Sequence, residues 1–295
     1  MVTPATPEGD LDGLSAQRVT EHLIAGGVHG VFVLGTNGEG ASASRELGQR
    51  LVKATAEQAR GRAAVLAGVS SNCLADAVNA AHAYFEAGAD AVVAHPPYYF
   101  PPGPEELLGF YRALADRIPG PLVIYNIPPT THVSIPLDVL EALSAHPRIV
   151  GVKDSEDDAE RIRALLARLG GREGFTCLVG AANQAAHGMA LGADGFVPGN
   201  GNLVPAACRA LYEAAIRGDR AGAEQYQRQI DEVAGLYHRG RPLRESLAAL
   251  KAAMGVEGLC GPNMLPPLRA LEPAAQQAVR EAFRAWRAAH PQPGE

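Results

Sequence analysis

The chain has 295 residues, 47% hydrophobic and 20% charged, a globular composition with enough length to bury a large core. A formal net charge of −6 supplies no basic field for nucleic acid or an anionic membrane. No apolar run is long enough to span a bilayer, and the start MVTPATPEGD lacks a charged-then-apolar signal pattern. Cys73, Cys177, Cys208 and Cys260 are far apart with no CxxC pair. That spacing points to buried thiols in a reducing cytoplasm rather than a metal site or disulfide framework.

VTP (2–4) is the stub of a first strand, and LDGLSAQRVTEHLIAGG carries the first helix. Almost nothing precedes Thr3, so either the natural start lies upstream or this strand is short. HGVFVLG (29–35) is the second strand, followed by a helical pattern over 44–59. AAVLAGVS (63–70) leads into a helix over 74–88, and ADAVVAHPP (89–97) into one over 104–118. PLVIYNIP (121–128) and RIVGVKD (148–154) are the fifth and sixth strands. The helix EDDAERIRALLARLG (156–170) then opens with acidic residues suited to the positive end of its dipole. FTCLVG (175–180) and DGFVPG (194–199) complete eight. The strands are near-continuous apolar runs, as expected of parallel strands covered on both faces. Strand–helix alternation indicates parallel βαβ units. Eight of them in about 220 residues suit an α/β protein of the (β/α)8 TIM-barrel type. An open doubly wound sheet is the competitor, but no strong G-x-G-x-x-G follows the first strand.

Residues 1–217 are thus assigned to the barrel and 218–295 to a C-terminal helical appendix packed on it. Helical patterns follow Gly218 and Gly240, and EPAAQQAVREAFRAWRAA ends the chain with Val279, Phe283 and Trp286 on one apolar stripe. These helices either cover barrel surface or contribute to the active site.

Catalysis in such barrels sits at the C-terminal strand ends. Those ends carry GTNGEG (35–40), HPPYYFPPG (95–103), YNIPPTT (125–131), KD (153–154) and PGNGN (198–202). Lysine is scarce: only Lys53, Lys153 and Lys251 occur, with arginine supplying the other positive charge. Arginine cannot replace a lysine that must lose its proton. A desolvated amine at Lys153 is a nucleophile for a ketone or keto acid; the bland alternative is a snorkelling lysine paired with Asp154. Tyr125, at the end of the preceding strand, could pass protons beside it or simply be a core tyrosine. The GTNGE turn offers successive N–H groups suited to a carboxylate, or is only a β-to-α turn.

Taken together, VTP with LDGL, GTNGEG, HPPYY, YNIP, GVKD and GADGFVPGNGN resemble the dihydrodipicolinate synthase / N-acetylneuraminate lyase family of pyruvate-dependent class I aldolases, nearly end to end. The resemblance implies that Lys153 forms the Schiff base with pyruvate and that Tyr125 shuttles protons and contacts the carboxylate. It implies a proton relay through Thr36, and a relay tyrosine, Tyr99, given by a neighbouring subunit. The implied substrate-binding set is Gly35, Thr36, Asn37, Thr130, Ser155, Gly180 and Val197. Family members are usually dimers of dimers and need no metal or organic cofactor. A homodimer or homotetramer acting on pyruvate and an aldehyde is therefore expected, with no nucleic acid and no membrane.

Departures from the family pattern guide the finer reading. Thr130 stands where dihydrodipicolinate synthases carry an arginine that clamps the second substrate's carboxylate. Asn37 stands where a second threonine is common. Asn72, Asp76 and Tyr98 suit an allosteric lysine pocket, but Arg45 and Gly48 replace its histidines. Ala181, Ala182 and Asn183 lack the acidic pair of sialate lyases, and His132 has no reading. GTNGE, KDS and the small residues after Gly180 are most similar to 4-hydroxy-2-oxoglutarate and 2-keto-3-deoxy sugar-acid aldolases. The alternatives are dihydrodipicolinate synthase, a sugar-acid dehydratase on the same chemistry, and a keto-acid-binding regulatory protein without turnover.

Overall fold

The computed structural model describes residues 1–290. Seven strands form: β1 (Gly30–Val33), β2 (Ala64–Gly68), β3 (Ala91–Ala94), β4 (Leu122–Asn126), β5 (Ile149–Asp154), β6 (Thr176–Val179) and β7 (Gly195–Phe196). They make one sheet in strict chain order, every neighbouring pair parallel. The helices between them are α1 (Gly13–Ala25), α2 (Arg45–Ala59), α3 (Leu74–Glu86), α4 (Pro104–Arg117), α5 (Pro128–Thr131), α6 (Leu137–Leu143), α7 (Ala159–Leu169), α8 (Ala185–Ala190) and α9 (Pro205–Ile216). A C-terminal group follows: α10 (Arg220–His238), α11 (Leu243–Met254) and α12 (Pro273–Ala289).

The apolar runs bury the face that meets the helices, through Val31, Val33, Val92 and Ala94, and β4 is covered on both faces, with Leu122 and Ile124 buried on one and Val123 and Tyr125 on the other. Side-chain caps fix the starts of several helices. Asp12 accepts from Ser15 N–H at 3.0 Å, and Ser44 accepts from Leu47 N–H at 3.1 Å. The Val279–Phe283–Trp286 stripe of α12 is buried as its spacing requires.

Three expectations change. VTP does not form a strand; the residues nearby make one isolated antiparallel bridge, Ala5 with Leu11. The backbone there bonds to scattered partners instead of a ladder. The Met1 amino group donates to Phe32 O at 2.6 Å, and Val2 N–H donates to Asn202 Oδ1 at 2.9 Å. Thr3 Oγ1 donates to Gly38 O, and Pro4 has no N–H to offer. This segment thus lies between β1 and the turn after β7. Second, α5, α6, α8 and α9 were not anticipated from periodicity. Third, the acidic run before α7 is not chiefly a helix start. Asp158 alone caps α7, accepting from the N–H groups of Glu160 and Arg161, while Asp154, Glu156 and Asp157 bind side chains elsewhere.

Candidate active site

Strand alternation and register assemble the site. Tyr125 and Lys153 are direct partners on β4 and β5, and Asn126 and Asp154 are partners one step on. Successive side chains point to opposite faces, so Tyr125 and Lys153 share the inner face while Asn126 and Asp154 share the outer one. Asp154 is fully engaged there. It accepts from Asn126 Nδ2 at 3.1 Å, from Arg161 Nε at 2.9 Å and from Glu156 N–H at 3.0 Å. Burial pushes its carboxyl upward against the opposing charge of Arg161. A Lys153–Asp154 ion pair is therefore ruled out.

Lys153 is 8% exposed. Its Nζ lies 4.2 Å from the centroid of the Tyr125 ring and 5.0 Å from that of Phe32. Among the described residues no carboxylate pairs with it. Gly180 makes room for this arrangement: a Cβ there would sit 1.9 Å from Ser155 Oγ and 2.9 Å from Lys153 Cε.

The Tyr125 hydroxyl is the hub of a polar cluster. It lies 3.3 Å from Thr36 Oγ1, and the Ser155 and Lys153 side chains also favour its anion. Burial alone raises a phenol's pKa, but the Lys153 charge and these side chains outweigh it and bring Tyr125 below the usual tyrosine range. The ring is held edge-on by Phe32, with centroids 6.0 Å apart at 81°. A buried phenol whose anion is stabilised this way can give and take protons at the adjacent amine.

The GTNGEG turn after β1 bends sharply, with both Leu34 (φ 59°) and Glu39 (φ 54°) left-handed. It closes on itself through Gly40 N–H to Gly35 O at 3.2 Å and Glu39 N–H to Thr36 O at 3.1 Å. Only glycine fits at position 40, where a Cβ would stand 1.9 Å from Leu34 O. The Thr36 and Asn37 N–H groups donate to no atom among the described residues, and Asn37 Nδ2 lies over Gly199. Thr36, Asn37, Lys153 and Tyr125 line a cavity of about 560 Å³, together with Gly35, Ser155, Gly180 and Val197.

Two expected site residues lie elsewhere. Thr130 does not line this cavity; its hydroxyl donates to Ile127 O at 3.3 Å. Tyr99 is 73% exposed beside Phe100, outside the cavity of its own chain. The sequence reading missed Phe32, hidden in a uniformly apolar strand, and Tyr237 of α10, which also lines the cavity. The helical appendix therefore reaches the cavity wall. It also missed the partner of Lys251, which is buried and paired with Glu39 of the GTNGEG turn.

Comparison with known proteins agrees with this geometry. The sequence matches the profile described as "Dihydrodipicolinate synthetase family" over residues 1–286. The chain belongs to that family. It is accordingly a lyase, a Schiff-base-forming, pyruvate-dependent class I aldolase of the dihydrodipicolinate synthase type. It is 36% identical over 284 residues to the 4-hydroxy-tetrahydrodipicolinate synthase of Phenylobacterium zucineum (strain HLK1), covering 96% of this chain and 94% of that one. Dihydrodipicolinate synthase from Bacteroides thetaiotaomicron superposes with a TM-score of 0.91 at 34% identity, over 97% and 96% of the two chains. The chloride-inhibited dihydrodipicolinate synthase from Acinetobacter baumannii, solved with pyruvate, gives 0.89 at 28% identity, over 97% and 96%. No helix among the described residues is long and apolar enough to cross a membrane.

Proposed function

We propose that this aldolase cleaves, or in reverse assembles, a hydroxylated 2-keto acid of the 4-hydroxy-2-oxoglutarate or 2-keto-3-deoxy sugar-acid class, with Lys153 as nucleophile. The observation that carries the chemistry is a buried amine without a carboxylate partner among the described residues, 4.2 Å from the centroid of a phenol ring. Lys153 Nζ, once it has given up its proton, adds to the C2 ketone, and Tyr125, relayed by Thr36, gives a proton to the new alkoxide. Water leaves and an iminium forms. A base then takes the C4 hydroxyl proton, and the C3–C4 electron pair flows into the iminium. An aldehyde departs and an enamine remains. Protonation at C3 and addition of water release pyruvate and restore the amine. The iminium is itself the electron sink, so the reaction calls for no metal or organic cofactor. The Thr36 and Asn37 N–H groups receive the carboxylate and orient the ketone before chemistry begins, with Gly35, Ser155, Gly180 and Val197 shaping the pocket.

The aldehyde reading rests on Thr130, which provides no guanidinium and whose hydroxyl is turned to its own backbone. The names of the curated relatives favour a second reading, 4-hydroxy-tetrahydrodipicolinate synthase. A sugar-acid dehydratase would share every step up to the iminium, then give up the C3 proton and lose hydroxide from C4 as water, without breaking a carbon–carbon bond. One assay separates the three. Pyruvate release is followed with 4-hydroxy-2-oxoglutarate and 2-keto-3-deoxy sugar acids, alongside condensation of pyruvate with aspartate semialdehyde and mass analysis of products. Pyruvate release from the sugar acids supports the first reading, and turnover confined to aspartate semialdehyde overturns it.

The same reading treats residues 1–217 as a complete (β/α)8 barrel with residues 2–4 in the first-strand position. In support, Met1 bonds to β1 and Val2 to Asn202 after β7. Residues 218–295 act as the helical region packed on it. Exposed Tyr99 is a relay residue for a neighbouring copy in a dimer or tetramer, which native mass spectrometry tests. Four free cysteines accord with a cytoplasmic location.

A further inference from the structure

Lys251 sits on α11, remote in sequence from every strand end, and is 1% exposed. Its Nζ pairs with Glu39 Oε1 and donates to Asn263 O at 2.7 Å. The other Glu39 oxygen accepts the Leu265 N–H at 2.7 Å. Asn263 reaches on to Ala5 O at 3.1 Å. Glu39 is 3% exposed and belongs to the turn that carries Thr36 and Asn37, yet it does not line the cavity. Its left-handed backbone aims the carboxylate into the C-terminal region instead.

Two physical points give this pair a purpose. A non-glycine residue in the left-handed region costs free energy and persists only where its surroundings over-determine it. A buried ion pair adds little net stability, because desolvation offsets much of the attraction; its best-attested use is to fix register. Here the register in question is that of the turn. The backbone bonds of residues 35–40 outside the regular elements run among themselves and to Ser42 and Ala43 just beyond, among the described residues, so their placement against Lys153 depends on what grips the turn from outside. Thr3 holds Gly38 O on one side, and Lys251 with Leu265 holds Glu39 on the other.

We propose that the Glu39–Lys251 pair is a positioning device that sets the Thr36 and Asn37 N–H groups for the keto-acid carboxylate, so that pyruvate affinity depends on the C-terminal helical region. The proposal rests on the reading of those N–H groups as the carboxylate site. Neither residue touches substrate.

The test measures the pyruvate concentration that half-saturates borohydride-trapped adduct, by intact mass spectrometry, in wild type, Glu39→Gln and Lys251→Met. Acetone, a ketone without the carboxylate, serves as the second probe. Glu39→Gln keeps the size and an acceptor for Leu265 N–H, so it carries the test should Lys251→Met fail to fold. The expected result is a half-saturating pyruvate concentration raised about ten- to hundredfold, as for a sub-ångström to ångström misplacement. Acetone trapping and the maximum adducted fraction stay at wild-type levels. Unchanged half-saturation, or a lowered maximum fraction alone, assigns the pair a purely structural role and overturns the proposal. Wild type that captures acetone as readily as pyruvate overturns the carboxylate-site reading beneath it, and is recognised before any variant is made.

Discussion

Lys153 at the end of β5 and Lys251 on α11 are 8% and 1% exposed, but their amines meet opposite surroundings. Lys251 Nζ faces a buried carboxylate and a carbonyl oxygen. Lys153 Nζ faces two aromatic rings, those of Phe32 and of the Tyr125 phenol. Burial pushes the Glu39 carboxyl upward in spite of Lys251, as enclosure disfavours the charged form. Lys251 is tied at Nζ to a carboxylate and a carbonyl oxygen and does not line the cavity, whereas Lys153 does. Burial is common to both, so the partner decides the chemistry.

Replacing each lysine in turn is the sharpest way to break this comparison. Lys153→Met abolishes turnover and pyruvate capture while the melting temperature stays level or rises, since no buried charge is left unpaired. Lys251→Met leaves Glu39 stranded and costs about 3–5 kcal/mol of stability, with Lys153 still reacting in the folded fraction; thermal denaturation beside adduct mass checks both. Equal losses of stability in the two variants would contradict the contrast.

Within the Lys153 environment, Tyr125→Phe keeps the ring and removes the proton carrier. Its kcat should fall about 10²–10⁴-fold with the KM for pyruvate changed far less, as steady-state kinetics will show. Gly180→Ala forces Ser155 and Lys153 aside, because the new Cβ would meet them at 1.9 and 2.9 Å. Adduct formation in rapid-quench trapping should slow by about tenfold or more. The smallest effect is a pH shift. The Thr36 hydrogen bond is one of the causes that lower the Tyr125 phenol; without it the phenolate loses a stabilising contact and the phenol's pKa rises. Thr36→Val should therefore move the alkaline limb of the kcat/KM profile to higher pH, and a shift to lower pH would contradict the assignment.

The two lysines also differ in how far the sequence exposed them. Lys153 was legible because it ends a strand pattern, in a chain with three lysines, one strand after Tyr125. Register did the rest, placing the two side by side. The sequence left Asp154 open as its partner; the structure excludes it, because Asp154 joins a network with Asn126 and Arg161 through contacts between β4, β5 and α7 that no local pattern encodes. Lys251 looked like an ordinary helix residue, since its partner Glu39 is distant in sequence. Phe32 could not be told from its neighbours because Val31, Phe32 and Val33 form one unbroken apolar run in the sequence. Helices as short as α5 and α8 span too few turns for periodicity to register. VTP kept the composition of a strand, but its backbone bonds go to scattered atoms rather than to a ladder.

The central claim is that Lys153, and not the other buried lysine, carries the covalent step. Borohydride reduction in the presence of pyruvate, followed by peptide mass mapping, tests it directly. The account predicts one pyruvyl adduct per chain, confined to the peptide containing Lys153 and lost in Lys153→Ala. No adduct on folded protein, or an adduct on the Lys251 peptide, would contradict it.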